Sequence, residues 1–245
     1  MYTPGREYNL YEILQKADSG DLDAMEAAVS LLAVEGYTDD DPDGEIAERR
    51  FMYLRQLAEA GKRFAYIMLG DACQNGKGTV KDIKEAVRWY ELAAKKGSRF
   101  GNECLGMLYY EGTDISGDYQ KAYEYFTKDE GKKSFCTTYA LGEMFRKGLY
   151  VSEDAEKACE YYEAIVNDNG LCSEMDDYYW RACYRLAVAY HYGQGTDKDL
   201  DRAVELMSKA KNLYESRSKE AVSGDITKED FYQEWLLLNQ DAGAF

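Results

Sequence analysis

Apolar residues fall along this chain in short stripes at helical spacing. Ile83, Ala86, Val87, Tyr90 and Ala93/Ala94 form one; Ala155, Ala158, Cys159, Tyr162 and Ile165/Val166 a second; Leu200, Ala203, Val204 and Met207 a third. Each predicts an amphipathic helix with one buried face. An aspartate precedes each stripe (Asp82, Asp154 and Asp199), with Asp118 in the corresponding place of another copy. There it is predicted to cap the helix by accepting N–H groups of the first turn.

The stripes are half of a longer pattern. Leu69-Gly70, Leu105-Gly106 and Leu141-Gly142 recur 36 residues apart, and Leu186-Ala187 follows 45 residues on. Behind each Leu come a glycine (Gly76, Gly112, Gly148, Gly193), an aspartate and an alanine (Ala86, Ala122, Ala158, Ala203) in constant register. The glycine is predicted to end the first helix of a pair, and the small residue after each Leu to let paired helices approach closely. One pair cannot bury its own face, so the pairs must stack.

The pattern Ala65-x-x-x-Leu69-Gly70-x-x-Cys73-x-x-Gly76-x-Gly78-x-x-x-Asp82-x-x-x-Ala86-x-x-Trp89-Tyr90-x-x-Ala93-Ala94-x-x-Gly97 resembles a Sel1-like repeat, a longer relative of the tetratricopeptide repeat. The resemblance covers residues 63–210, although the copies at 118–131 and 154–170 lack the Ala-Ala pair. It implies an all-α fold, a right-handed solenoid of about five stacked helix pairs with partial pairs at the ends. The expected division of this single domain is a half-repeat at 1–20, a diverged repeat at 20–61, repeats at 62–97, 98–131, 132–176 and 177–215, and a cap at 216–245. The cap is predicted from Thr227-Lys-Glu-Asp230, a capping-box-like start, ahead of an apolar stripe of Phe231, Trp235 and Leu238.

Composition narrows the chemistry. The chain has 46 acidic and 30 basic residues, a formal charge of −16, only 2 prolines and one histidine. That balance argues against nucleic acid, which is bound through Lys and Arg clusters. No apolar run is long enough to span a bilayer, and no secretory leader is recognised at Met1–Tyr8. The six cysteines (Cys73, Cys104, Cys136, Cys159, Cys172, Cys183) form no CxxC pair, so reduced core thiols and a cytoplasmic setting are expected.

Catalytic and metal motifs fail on inspection. Asp39-Asp-Asp41-Pro-Asp43-Gly44-Glu45-Ile46 matches the first half of an EF-hand loop, but Arg50 stands where calcium requires a bidentate carboxylate. The expected alternative is an acidic loop with Asp43 capping the next helix. Asn75-Gly-Lys-Gly-Thr79 misses the spacing of a phosphate loop and reads as the repeat's own turn. No HExxH or Gly-x-Ser-x-Gly motif occurs, and His191 has no second histidine to work with. Counting alone does not exclude a glycosidase-like carboxylate pair among so many acids. No catalytic residue, metal or cofactor is assigned.

The resemblance to tetratricopeptide-type repeats implies a concave groove lined by the first helix of each pair. Its positions lie two before, two after and five after each repeat Leu. They are Ile67, Asp71 and Gln74; Glu103, Met107 and Tyr110; Tyr139, Glu143 and Arg146; Tyr184, Val188 and His191. The implied function is a non-enzymatic scaffold or adaptor, acting as a monomer, that binds a protein or peptide in this groove. Asp71, Glu103 and Glu143 lead to a neutral or basic partner, and Tyr110, Tyr139 and Tyr184 to aromatic anchors. Two alternatives remain open at this point: an exported host- or envelope-interaction factor of the same class, and an enzyme of unrecognised type.

Overall fold

Each aspartate ahead of a repeat's second helix is an N-cap in the computed structural model. Asp82, Asp118, Asp154 and Asp199 have extended backbone, and their carboxylates accept the N–H of Glu85, Lys121, Lys157 and Arg202 at 3.0, 3.0, 2.9 and 2.9 Å. The structure describes residues 5–33, 44–128, 133–168, 177–216 and 226–243, and among them it contains twelve helices and no strand. These are α1 (Gly5–Asp18), α2 (Leu22–Leu31), α3 (Glu45–Glu59), α4 (Arg63–Asn75), α5 (Ile83–Lys95), α6 (Arg99–Glu111), α7 (Tyr119–Thr127), α8 (Phe135–Lys147), α9 (Ala155–Val166), α10 (Asp177–Tyr192), α11 (Leu200–Glu215) and α12 (Lys228–Asp241). Residues 39–43 of the acidic loop lie outside the described residues, as does Cys172. Gly44 occupies the N-cap position of α3.

The chain divides into two compact units, Met1–Gly117 and Asp118–Phe245. In the first, α1 to α6 pack each on the next. Its core runs through Ala17, Met25, Leu54, Leu57, Leu69 and Ala93, all at or below 1% exposure. In the second, α8 pairs with α9 and α10 with α11, and α12 lies on α10 and α11. Its core is aromatic, built on Tyr162, Trp180 and Phe231.

The repeated small residues mark the tightest approaches. A Cβ added at Gly70 would stand 2.3 Å from the ring of Tyr90, and one at Gly142 would stand 2.6 Å from Tyr162. Gly76, Gly112 and Gly148 close the first helices with left-handed backbone, as the pattern predicts.

The Gly-x-Gly turn holds more than a chain reversal. Gly78 has φ +71°, and an added Cβ would lie 2.0 Å from the carbonyl oxygen of Ala47, in the first turn of α3. Gly195 meets Ala155 of α9 at 2.2 Å in the same way. The second glycine is therefore where one repeat's turn touches the second helix of the repeat before it. The third copy has Tyr150 there at φ +64°, with its ring 5.8 Å from Tyr123 of α7.

Leu141 is fully buried while Asp154 is exposed, so the two landmarks should differ in cost. Leu141→Ala is expected to destabilise by about 2–5 kcal/mol through the cavity it leaves. Asp154→Ala should cost about 0.5–2 kcal/mol through the lost cap. Urea unfolding of both variants checks this, and a Leu141→Ala midpoint equal to wild type would move the repeat leucine out of the core.

Candidate functional site

The first helices α4, α6, α8 and α10 carry all twelve expected groove positions, and neighbouring elements decide which of them reach solvent. On α4, Asp71 is exposed and Gln74 half-buried. The hydroxyl of Tyr90 on α5 lies 2.7 Å from Asp71 Oδ1 and 2.9 Å from Gln74 Oε1. Burial, and then the Asp71 carboxylate, hold the Tyr90 phenol well above its ordinary range. On α6, Met107 and Tyr110 are half-buried, whereas Glu103 is buried and pairs with Arg99 at 3.3 Å.

In the second unit Glu143 has no exposure at all. Its carboxylate pairs with Arg146 (2.6 Å), Lys147 (2.9 Å) and Arg185 (2.8 Å), and accepts the Tyr162 hydroxyl at 2.6 Å. Burial foremost, followed by the adjacent Glu143 charge, pushes the Tyr162 phenol well above its usual range. Tyr139 is buried against Tyr162 and Tyr178, at ring separations of 5.7 and 5.6 Å. Arg146 is half-buried.

The last repeat is roofed by α12. Tyr184 is buried and stacks on Phe231 at 5.3 Å. His191 is 1% exposed, with Nδ1 2.9 Å from Glu234 and Nε2 2.9 Å from Asp241. Five of the expected groove residues, Glu103, Tyr139, Glu143, Tyr184 and His191, thus spend their side chains inside the fold. The expectation of a neutral or basic partner drew on Asp71, Glu103 and Glu143. Of these only Asp71 is exposed, and the other two are neutralised by arginines.

The positional rule names Ile67 but not the rest of an apolar cavity of about 380 Å³ that it helps line at the N-terminal ends of α4 and α6. Phe64, Ile67, Met68 and Phe100 line it together with Arg63 and Ser98. Phe64 is 40% exposed and Phe100 53%. The sequence does carry a signal for it, because Arg63-Phe64 and Arg99-Phe100 stand 36 residues apart, in register with the repeat. Neither phenylalanine belongs to a buried stripe.

No group of three or more His, Cys, Asp or Glu placed to hold a metal ion occurs among the described residues. Nor is any described helix long and apolar enough to cross a membrane. The five described cysteines are free, and burial pushes the thiol of Cys159 up to about 11 and that of Cys183 to about 12. Such thiols are poor nucleophiles at neutral pH.

Comparison with known proteins agrees with this geometry. No curated protein matches the sequence. Among solved structures, the chain is similar to a Sel1 repeat protein from Oxalobacter formigenes, at TM-score 0.66 and 21% identity over 86% of this chain and 57% of that one. It is also similar to c5321, a protective antigen present in uropathogenic Escherichia coli strains that displays an SLR fold, at TM-score 0.60 and 21% identity over 96% of this chain and 57% of that one. The chain thus spans a little over half the length of either neighbour, and the likeness is one of fold. The family model for the Sel1 repeat matches residues 63–98, 105–128, 138–165 and 180–214. Each match carries the repeat leucine or its closing glycine and the capping aspartate described above, and together they span half of the sequence: the chain belongs to the Sel1 repeat family.

Proposed function

We propose that this chain is a non-catalytic scaffold that holds a protein or peptide partner on the first-helix face of its N-terminal unit. Sel1 repeat proteins are typically protein–protein interaction scaffolds. The observation that carries the reading here is the face of α4 and α6, where Asp71 is exposed and Gln74, Met107 and Tyr110 are partly so. That mixture of carboxylate, amide, thioether and phenol suits a protein surface, with Met and Tyr supplying contact area and the polar groups orientation. The corresponding positions of the second unit contribute to its stability instead. The five described cysteines are free, three of them buried, which favours work in a reducing compartment such as the cytoplasm.

The test is affinity capture from lysate with the wild-type chain and an Asp71→Arg/Gln74→Arg variant of unchanged melting temperature. Partner proteins retained by the wild type and lost by the variant are the expected result. The reading falls if the wild type retains nothing above a bare-resin control, or if the purified chain turns over a substrate in a metabolite screen.

A further inference from the structure

The cavity between Phe64 and Phe100 is built from one repeat position used twice. In each copy an Arg-Phe pair opens the first helix, directly after the turn that ends the preceding repeat. The fold does not require a phenylalanine there, since the side chains stand 40% and 53% exposed while the buried stripe of each helix is complete without them. Ile67 and Met68 are half-buried in the same cavity. Two large exposed rings held side by side by the repeat spacing form an apolar recess, and recesses of this kind mark interaction sites.

The charges at the rim identify the occupant. Lys62 is paired with Glu26. Arg99 is paired with Glu103 and lies 5.0 Å over the ring of Phe100. Arg63, which lines the cavity, has no ion pair among the described residues. Its guanidinium is therefore an open cationic group at the edge of an apolar recess. Its natural complement is a carboxylate, taken two N–H groups at a time. A basic segment would instead bring like charge against Arg63.

We infer that this recess docks a segment of a partner protein in which a bulky apolar side chain sits beside a carboxylate. The apolar group enters between Phe64 and Phe100, and the carboxylate reaches Arg63. The inference rests on the scaffold reading and supplies the partner chemistry that reading lacked. The chain's negative field is screened within roughly 8 Å at physiological salt, so the local arginine governs the contact.

A display library of random dodecapeptides panned on the full chain provides the probe. The enriched peptides are expected to share Phe, Leu, Met or Trp next to Asp or Glu. For the strongest synthetic peptide, followed by fluorescence anisotropy, Phe64→Ser/Phe100→Ser should weaken binding about tenfold or more, and Arg63→Glu about threefold to tenfold. Replacing the peptide's acid by its amide should weaken binding to wild type but not to Arg63→Glu, which ties the two groups together. Both phenylalanines are exposed, so an unchanged melting curve controls for folding. A basic consensus, or peptides that bind the double serine variant as well as wild type, would overturn the recess while leaving the scaffold reading intact. Concentration-dependent self-association abolished by the serine variant would also overturn it, by making a second copy of the chain the occupant. If lysate capture by the wild type fails as well, the scaffold reading falls with it.

Discussion

Glu143→Ala is expected to lower the unfolding free energy by about 3–5 kcal/mol, because it removes the buried carboxylate on which three cations converge. Glu143 has no exposure, and the side chain of Arg185 is only 13% exposed. Arg146, Lys147 and Arg185 all converge on its two oxygens, and the Tyr162 hydroxyl donates to Oε1. Removing the carboxylate leaves like charges facing one another and a buried phenol without its acceptor. Glu143→Gln keeps an acceptor for Tyr162 but not the charge, so it should recover part of the loss. Tyr162→Phe removes one hydrogen bond and should cost about 1–2 kcal/mol. Urea unfolding of the three variants tests the ranking. A Glu143→Ala loss below about 1 kcal/mol would mean that the cluster is solvated, as exposed ion pairs are.

Glu143 also shows where the sequence ceases to be enough. The register of the repeat, the four aspartate caps, the closing glycines and the pairing of Gly70 and Gly142 with a second helix all follow from spacing, because each depends on residues within one repeat. Asp71 and Glu143 occupy the same position of their copies, and each accepts from the tyrosine of its own second helix, Tyr90 and Tyr162. Up to that point the copies are alike. They diverge because Glu143 also receives Arg146 and Lys147 of its own helix, where the first copy has Gln74 and Asn75, and Arg185 from the following repeat, the last a contact that no rule written within one repeat contains.

The same applies to Tyr184 and His191. Their positions on α10 are as the repeat dictates, but α12 lies over them, and the residues of that helix carry no repeat signature. The Phe64–Phe100 recess is the converse case. Its signal, a recurring Arg-Phe pair, is plain in the sequence, but only the structure tells an exposed ring from a buried one.

Phe231→Ala is expected to undock α12 at a cost of about 3–5 kcal/mol, the range for truncating a buried aromatic residue. Phe231 has no exposure and is surrounded by rings, with Tyr214 stacked at 5.0 Å, Tyr184 stacked at 5.3 Å and Trp180 edge-on at 6.1 Å. Leu238 is the other fully buried side chain of α12 and is smaller than Phe231. The helix's carboxylates Glu234 and Asp241 meet His191, but Asp241 is largely exposed, and exposed pairs contribute little. Leu236 and Leu237 face solvent and hold nothing in place. Because repeats are stabilised chiefly by their neighbours, losing the cover should loosen α10 and α11 first and leave the N-terminal unit protected. Hydrogen exchange is the direct measurement: amides of α12 should exchange at rates near those of an unfolded chain, and those of α10 faster than in wild type. A Leu236→Ser/Leu237→Ser variant provides the control and should exchange like wild type. If Phe231→Ala kept native protection throughout α12, the helix would be held by something other than its aromatic anchor, and its role as the cover of the last repeat would have to rest on Leu238 and the His191 contacts instead.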